Sequence, residues 1–264
     1  MLGREVGRAA AGHEVMALTH ADLDVTDRAA VERAFAEARP DAVVNCAGFT
    51  DVDGAESDEE AATLLNGAAA GYLAAAAPAI VHPSTDYVFD GTDRTPYVES
   101  DAVGPRSAYG RSKLAGERAV AAANARHVIV RTSWLFGAGG RNFVDTMLGL
   151  VGERDELKVV DDQIGCPTYA GHLAGALVAL AEGDAYGIHH VAGAGACSWF
   201  EFATEIFRQA EVDVRVVPCT TDEFPRPAVR PAYSVLGSER SGAIRLPDWR
   251  EGLATYLAER APAR

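Results

Sequence analysis

Lysine is almost missing from this chain. Of 24 basic residues in 264, only Lys113 and Lys158 are lysines and the rest are arginine. Basic charge as a whole is also short, with 38 acidic residues and a net charge of −14. That balance excludes a nucleic-acid surface, because a phosphate-binding face needs a basic excess. Cysteine is sparse too. Cys46, Cys166, Cys197 and Cys219 are scattered without a C-x-x-C pair, so neither a disulfide framework nor a zinc site can be read and no metal is expected. No apolar run reaches the ~18 residues needed to span a bilayer. The nearest, Ala68 to Val81, is broken by Pro78. The start lacks a basic segment followed by an apolar core, so no secretory signal is visible, and a cytoplasmic protein without membrane partners is expected.

What is present is an alternation of short β-branched runs with alanine-rich helical stretches. Glu14–Leu18, Ala42–Asn45, Ala79–His82 and His127–Arg131 read as strands. Between them, a helix over Asp27–Ala38 opens on Thr26 as N-cap, one opening at Ser57-Asp-Glu-Glu60 runs towards Ala77, and a long one covers Tyr109–Ala123. Strands apolar on both faces and separated by helices mean a parallel sheet with helices on each side. Past Trp134 the rhythm loosens into helices near Asn142–Val151, Tyr169–Ala181, Phe200–Ala210 and Trp249–Glu259. Short strands at Lys158–Val160, Gly187–Val191 and Arg215–Val217 lie among them. The expected fold is α/β, a Rossmann-type doubly wound sheet with a smaller α/β substrate lobe. Residues 1–137 and 155–185 would form the core, and 138–154 with 186–264 the lobe.

The strongest chemical feature is Tyr109-Gly-Arg-Ser-Lys113. Residues at i and i+4 share a helix face, so the phenol and the ammonium can lie side by side. A nearby cation would lower the phenol's pKa and make it a usable acid. Pro83-Ser84-Thr85-Asp86-Tyr87-Val88-Phe89-Asp90-Gly91 follows the strand Ala79–His82, at the carboxyl end where open α/β sheets bind ligands. Each pattern alone is also consistent with an amphipathic helix or a polar turn; their conjunction is the signal.

In these positions Thr85, Tyr109 and Lys113 resemble the triad of the extended short-chain dehydrogenase/reductases. The strings VVNCAGFTDVDGAE (43–56), STDYVFDG (84–91), YGRSKLAGE (109–117), RTSWLFG (131–137), NFVDTM (142–147), DDQIGCPTY (161–169) and RPAYSVL (230–236) carry that likeness over nearly the whole chain. They are similar to the branch of the family that reduces sugar nucleotides. The resemblance implies reduction of the C4 keto group of a dTDP-linked 4-keto-6-deoxyhexose by NADPH or NADH. Tyr109 would give the proton, Lys113 would hold the nicotinamide ribose and depress the Tyr109 pKa, and Thr85 would bond the same oxygen. Asp86 and Trp134 would line the sugar pocket, although a core aromatic is an equal reading of Trp134. Gly3, Asp24, Val25, Ala47, Gly48, Phe49 and Thr50 would lie along the cofactor. Thr19-His20, at the expected ribose-reading position, favours neither nucleotide. A homodimer is held open.

Weaker candidates stay bland. His189-His190 in one strand point to opposite faces, which suggests one core and one surface side chain. Asp161-Asp162 reads as a solvated loop. The family opens with a strand and a Gly-rich turn. Here Gly3 matches the last glycine of that turn and Arg4 onwards its helix, so the first strand and the earlier glycines are not in this sequence. An internal methionine taken as the start explains this better than a paralogue that has lost its cofactor. A related alternative is a sugar-nucleotide epimerase or another 4-ketoreductase of the same superfamily, and a rival of another class is a binding-only subunit, like the regulatory subunit of methionine adenosyltransferase, which also resembles this family. The chain as given is expected to bind nicotinamide nucleotide weakly. A fluorescence titration checks this, and tight micromolar binding would overturn it.

Overall fold

The computed structural model describes residues 1–152 and 156–260. Its main sheet has four parallel strands in the order β1 (Val43–Val44), β2 (Ile80–Thr85), β3 (His127–Thr132) and β8 (Gly187–His190). Alternation along each strand sorts side chains to two faces. Ile80 and Ile129 pack against α2 (Arg28–Ala38), α4 (Ala69–Ala76) and α5 (Ala108–Ala123) through Val31, Leu73 and Val120. Val81, Val128 and Val130 face the other way, onto Leu173 and Leu177 of α7 (Ala170–Glu182) and onto Leu2 and Val6 of α1 (Leu2–Ala9). Helices therefore cover both faces of the parallel sheet, the Rossmann-type arrangement.

Several elements depart from the expected pattern for identifiable reasons. Residues 14–18 form no strand. No ladder partner lies beside them among the described residues, and Val15, Met16 and Leu18 are 45%, 66% and 48% exposed. β-propensity without a neighbouring strand makes no ladder. Helix α2 is capped by Asp27, whose carboxylate accepts from the amides of Ala29 and Ala30, and not by Thr26. The next helix is capped by Asp58 and not Ser57. It is broken into α3 (Glu59–Thr63), a π-helical turn over Leu64–Ala68, and α4. The core also reaches further along the chain than the division at 186 allows, because β8 is hydrogen-bonded into the main sheet beside β3. The expected boundaries at 154 and 155 lie outside the described residues.

Strand β2 runs three residues past its expected end, straight through Pro83. The ladder geometry explains why proline is tolerated here. The amides of Val43 and Asn45 donate to the carbonyls of Ala79 and Val81, so odd-numbered residues of β2 face β1. Strand β1 stops at Val44, before Pro83 is reached. The missing N–H of Pro83 therefore falls where the ladder with β1 ends, so the proline costs at most the last bond of that pairing.

The remaining elements build the second lobe. Helices α6 (Phe143–Gly149), α8 (Trp199–Gln209) and α9 (Trp249–Arg260) enclose an aromatic core of Phe136, Tyr169, Phe202, Trp249 and Tyr256. Strands β5 (Glu156–Val160) and β10 (Arg215–Cys219) pair in parallel beside them. Two pairs of short strands join lobe to core. β4 (Leu135–Phe136) pairs with β7 (Thr168–Tyr169), and β6 (Ile164–Gly165) pairs antiparallel with β9 (Cys197–Ser198). No helix of the described residues is long and apolar enough to cross a membrane.

A buried ion pair fastens α5 to the sheet. The Arg131 guanidinium on β3 donates to both oxygens of Glu117 at 2.9 and 2.8 Å, and the Ser84 hydroxyl on β2 donates to the same carboxylate. Both charged side chains are nearly inaccessible, at 3% and 4%. Removing one partner strands the other charge in the core, so Glu117→Gln or Arg131→Met should each cost about 3–5 kcal/mol. The double variant Glu117→Leu/Arg131→Met should recover most of that loss. Urea denaturation of the three variants checks this, and a double variant no more stable than the worse single one would contradict it.

Candidate active site

The carboxyl ends of β1, β2 and β3 open onto one crevice, and the candidate residues gather there by register. Thr85 ends β2 directly beside Thr132 of β3, and Trp134 lies two residues further on. Ser107 caps α5 by accepting from the amide of Gly110. The helix therefore starts with Tyr109 and Lys113 on the stripe that also carries Glu117. Tyr87 sits edge-on to the Tyr109 ring, centroids 5.8 Å apart.

The lysine is buried and donates to the Pro83 carbonyl at 2.7 Å, the acceptor freed where the sheet divides. Burial lowers its pKa to about 8, against the opposing pull of Glu117 and Cys46. The phenol of Tyr109 is not depressed as the sequence suggests. Burial pushes it up to about 12, hydrogen bonding with Thr85 works against that, and the Asp86 charge adds to it. The ammonium has no part in that balance, because it is turned to Pro83. The Thr85 hydroxyl donates to Asp86 Oδ1 at 3.0 Å and accepts from the Tyr87 amide. Asp86 is 2% exposed, and burial raises its carboxyl to about 7 against hydrogen bonds from Ser234 and Thr85. Its Oδ2 is buried and no donor reaches it in hydrogen-bond geometry among the described residues, the nearby Ser234 hydroxyl acting on the carboxylate only as a local dipole. An orphaned acceptor of this kind is costly unless a ligand supplies the donor.

The expected cofactor residues fall into two groups. Ala47, Gly48, Phe49 and Thr50 form the loop leaving β1. The Ala47 amide donates to Asn45 Oδ1, and the Phe49 amide donates to Asn66 Oδ1 at 2.8 Å. Gly3 lies in the first turn of α1, where a Cβ would sit 3.4 Å from that of Cys46, so the start of α1 abuts the same loop. A helix start, a backbone loop and an ammonium therefore converge on the crevice. Lys113 spends one of its donors on Pro83, and two directions are left for hydroxyl acceptors such as those of a ribose. These residues fit a dinucleotide. Asp24 and Val25 sit apart from that loop in local roles. The Asp24 carboxylate accepts from the amide and hydroxyl of Thr26, and Val25 packs with Val43 against the Val31 cluster. Thr19 is engaged with the Asp22 carboxylate.

Two supporting groups escaped the sequence. Asn66, in the π-helical turn, bonds the amide and carbonyl of Phe49 and donates to Ser112 Oγ at 2.9 Å. A lone asparagine inside an alanine-rich helix was the available signal. Helix α5 can approach it only because residue 116 is glycine: a Cβ there would stand 2.1 Å from the Asn66 carbonyl oxygen. Asp53 reaches across to the second lobe, accepting from Arg230 at 2.9 Å and from the Ala228 amide. A cavity of about 460 Å³ beside it is lined by Arg94, Arg106, Arg230, Asp90 and Tyr233, among others. The weaker candidates are structural. His189 and His190 are both buried, bonding the carbonyls of Ala185 and of Tyr97 and Gly237. The expected surface place for one of them is taken by the strands and loops folded over β8. Asp161 and Asp162 accept from Ser198 and Thr221. Among the described residues no group of three or more His, Cys, Asp or Glu side chains is placed to hold a metal ion.

A parallel sheet with helices on both faces, and a hydroxyl, a phenol and an ammonium at its carboxyl edge, define a nicotinamide-dependent oxidoreductase of the short-chain dehydrogenase/reductase class. The family model described as RmlD substrate binding domain matches residues 1–261. The chain belongs to that family. It is 48% identical over 281 residues to the "probable dTDP-4,6-dihydroxy-2-methyloxan-3-one 4-ketoreductase" of Streptomyces antibioticus, covering 100% of this chain and 95% of that one. Among solved structures, a dTDP-4-dehydrorhamnose reductase of Clostridium acetobutylicum matches with a TM-score of 0.95 at 45% identity, over 98% of this chain and 95% of the other. The dTDP-4-dehydrorhamnose reductase of Bacillus anthracis, solved in complex with NADP, matches with a TM-score of 0.94 at 38% identity, over the same shares of the two chains.

The Asp86 carboxyl, raised from 3.8 to about 7, has a defined effect on stability. Whatever it contributes is fully present below its unfolded pKa and is lost as pH rises through the folded one. Asp86→Asn should therefore raise the urea midpoint at pH 8 and leave it nearly unchanged at pH 4. Equal shifts at the two pH values would contradict the raised carboxyl.

Proposed function

We propose that this chain reduces dTDP-4-dehydrorhamnose, dTDP-4-dehydro-6-deoxy-L-mannose, at C4 to give dTDP-L-rhamnose. The observation that carries the reading is the unpartnered, buried Asp86 oxygen beside Thr85 and Tyr109 at the mouth of the sheet. A sugar hydroxyl would supply the donor that oxygen lacks, and this would leave the keto oxygen facing the phenol. Bound NADPH, or NADH, supplies the hydride, and the NADP-bound relative makes NADPH the first donor to try.

The chain's own residues do the rest. Tyr109, held protonated by burial, donates to the C4 oxygen as negative charge develops on it, and Thr85 turns its hydroxyl from Asp86 to the same oxygen. Lys113 holds the cofactor ribose through the donors that Pro83 leaves unused. Gly3 and Ala47–Thr50 lie along the cofactor, with Asp24 and Val25 towards its adenine side. Asp86 and Trp134 flank the sugar, and Arg94, Arg106 and Arg230 face the diphosphate. On this reading the core carries the cofactor, and the segments after 137 outside the main sheet form the substrate lobe. A cytoplasmic location belongs to the same reading, and a homodimer is compatible with it.

The Streptomyces antibioticus relative favours a second reading, reduction of a different dTDP-linked 4-keto sugar. Both are tested by following NADPH absorbance with each sugar nucleotide and identifying the product. Turnover of dTDP-4-dehydrorhamnose at least tenfold faster supports the first reading, and turnover of the other sugar alone supports the second. Turnover of neither sinks both and points to a binding-only subunit. Tyr109→Phe should lower kcat/KM by about 10²–10⁴-fold with little change in NADPH affinity. Because the Lys113 ammonium is charged only below about pH 8 in the free protein, NADPH affinity should weaken as pH rises above 8. Lys113→Met should abolish that pH dependence.

A further inference from the structure

We propose that Trp199 is a positioning residue of the sugar pocket, holding the Trp134 indole in the single orientation in which it meets the substrate. The proposal rests on the reading above that Trp134 flanks the sugar. Trp134 leaves β3 with a φ of +46°, a left-handed conformation that a bulky side chain seldom adopts. The backbone alone does not fix the ring it carries. Three contacts do. Trp199 lies flat on the indole, with centroids 3.5 Å apart and planes 6° from parallel. The edge of the ring rests on Gly165 of β6, where a Cβ would stand 2.4 Å from Cε2. No larger residue fits there unless the indole moves away.

Trp199 is itself held from behind. Its Nε1 donates to Gln163 Oε1 at 3.2 Å, and Gln163 Nε2 donates to Thr221 Oγ1 at 2.9 Å. That hydroxyl donates to Asp162 at 2.7 Å. On its other side Phe143 packs against Trp199, centroids 4.6 Å apart. As the first residue of α8, Trp199 has its backbone fixed by the capping box of Ser198 and Glu201. A chain of contacts thus runs from the second lobe to one ring at the sheet edge. Binding surfaces need their side chains locked to within a fraction of an ångström, and neighbours that touch no ligand provide that locking. Trp199 has the geometry of such a neighbour.

The test compares wild type, Trp199→Leu, Trp199→Phe and Gly165→Ala. Calorimetric affinities are measured for dTDP-L-rhamnose and for dTDP, which lacks the sugar, and the indole–indole exciton couplet is followed by circular dichroism. Trp199→Leu should weaken dTDP-L-rhamnose about tenfold, the scale of one lost aromatic stack, and leave dTDP within about twofold. Trp199→Phe keeps a flat face and should stay near wild type. Gly165→Ala retains both tryptophans, yet should lose the couplet and copy the leucine variant, so the result does not hang on one truncation. Wild-type affinity for dTDP-L-rhamnose in Trp199→Leu would overturn the inference. So would a parallel loss for dTDP, which marks general packing damage. Wild type that binds dTDP but gains nothing from the sugar would instead overturn the substrate reading beneath it, and that arm is read without any variant.

Discussion

The Glu117 carboxylate is the interaction on which the active geometry depends. It stands on α5 two turns after Tyr109 and one turn after Lys113, and it is gripped by Arg131 from β3 and Ser84 from β2. Ser84 immediately precedes Thr85, so one buried charge sets the rotation of the helix and the height of the strand at once. Phenol, ammonium and hydroxyl inherit their relative positions from that single fastening. Buried ion pairs contribute little net stability against an apolar replacement. Here the pair's value is registration, because an apolar contact could slide along the strand and a bidentate guanidinium cannot.

Burial governs the chemistry of the crevice as well. Lys113, Tyr109 and Asp86 are all shifted towards their neutral forms, and in each case desolvation is the largest cause. Such a site holds protons ready, and below about pH 8 its Lys113 ammonium is a positive charge placed where an anionic ligand arrives. The anionic chain as a whole therefore does not repel a dTDP-sugar at the point of reaction. Arginines line the neighbouring cavity, and the distant acidic surface is screened.

The alternation of apolar strands and alanine-rich helices made the doubly wound sheet legible, since β2, β3 and α5 fall within a few residues of where their patterns put them. That Thr85, Tyr109 and Lys113 come together at the sheet edge is legible for the same reason: their spacing and strand-end position place them there. What escaped depends on partners distant in sequence. Residues 14–18 have a strand's composition but no partner, and composition says nothing of partners. Asn66 acquires its role from a π-helical turn that no periodicity announces. The electrostatic relation of Lys113 to Tyr109 is not legible, because i,i+4 spacing fixes a shared helix face but not where the long lysine side chain finds its acceptor. Trp134 fell between two readings, since its environment is made by Gly165 and Trp199, 31 and 65 positions away.

Pro83 has one more consequence. A hydrogen-bond ladder between two parallel strands is a zipper, and under thermal motion or ligand release a parted zipper tends to close. At residue 83 the zipper has no tooth on the β1 side, because the nitrogen bears no hydrogen. However the loop after Asn45 fluctuates, it cannot be drawn into the sheet beyond that point. Covalent structure thus removes one of the bonds that would otherwise draw the edge of the crevice together.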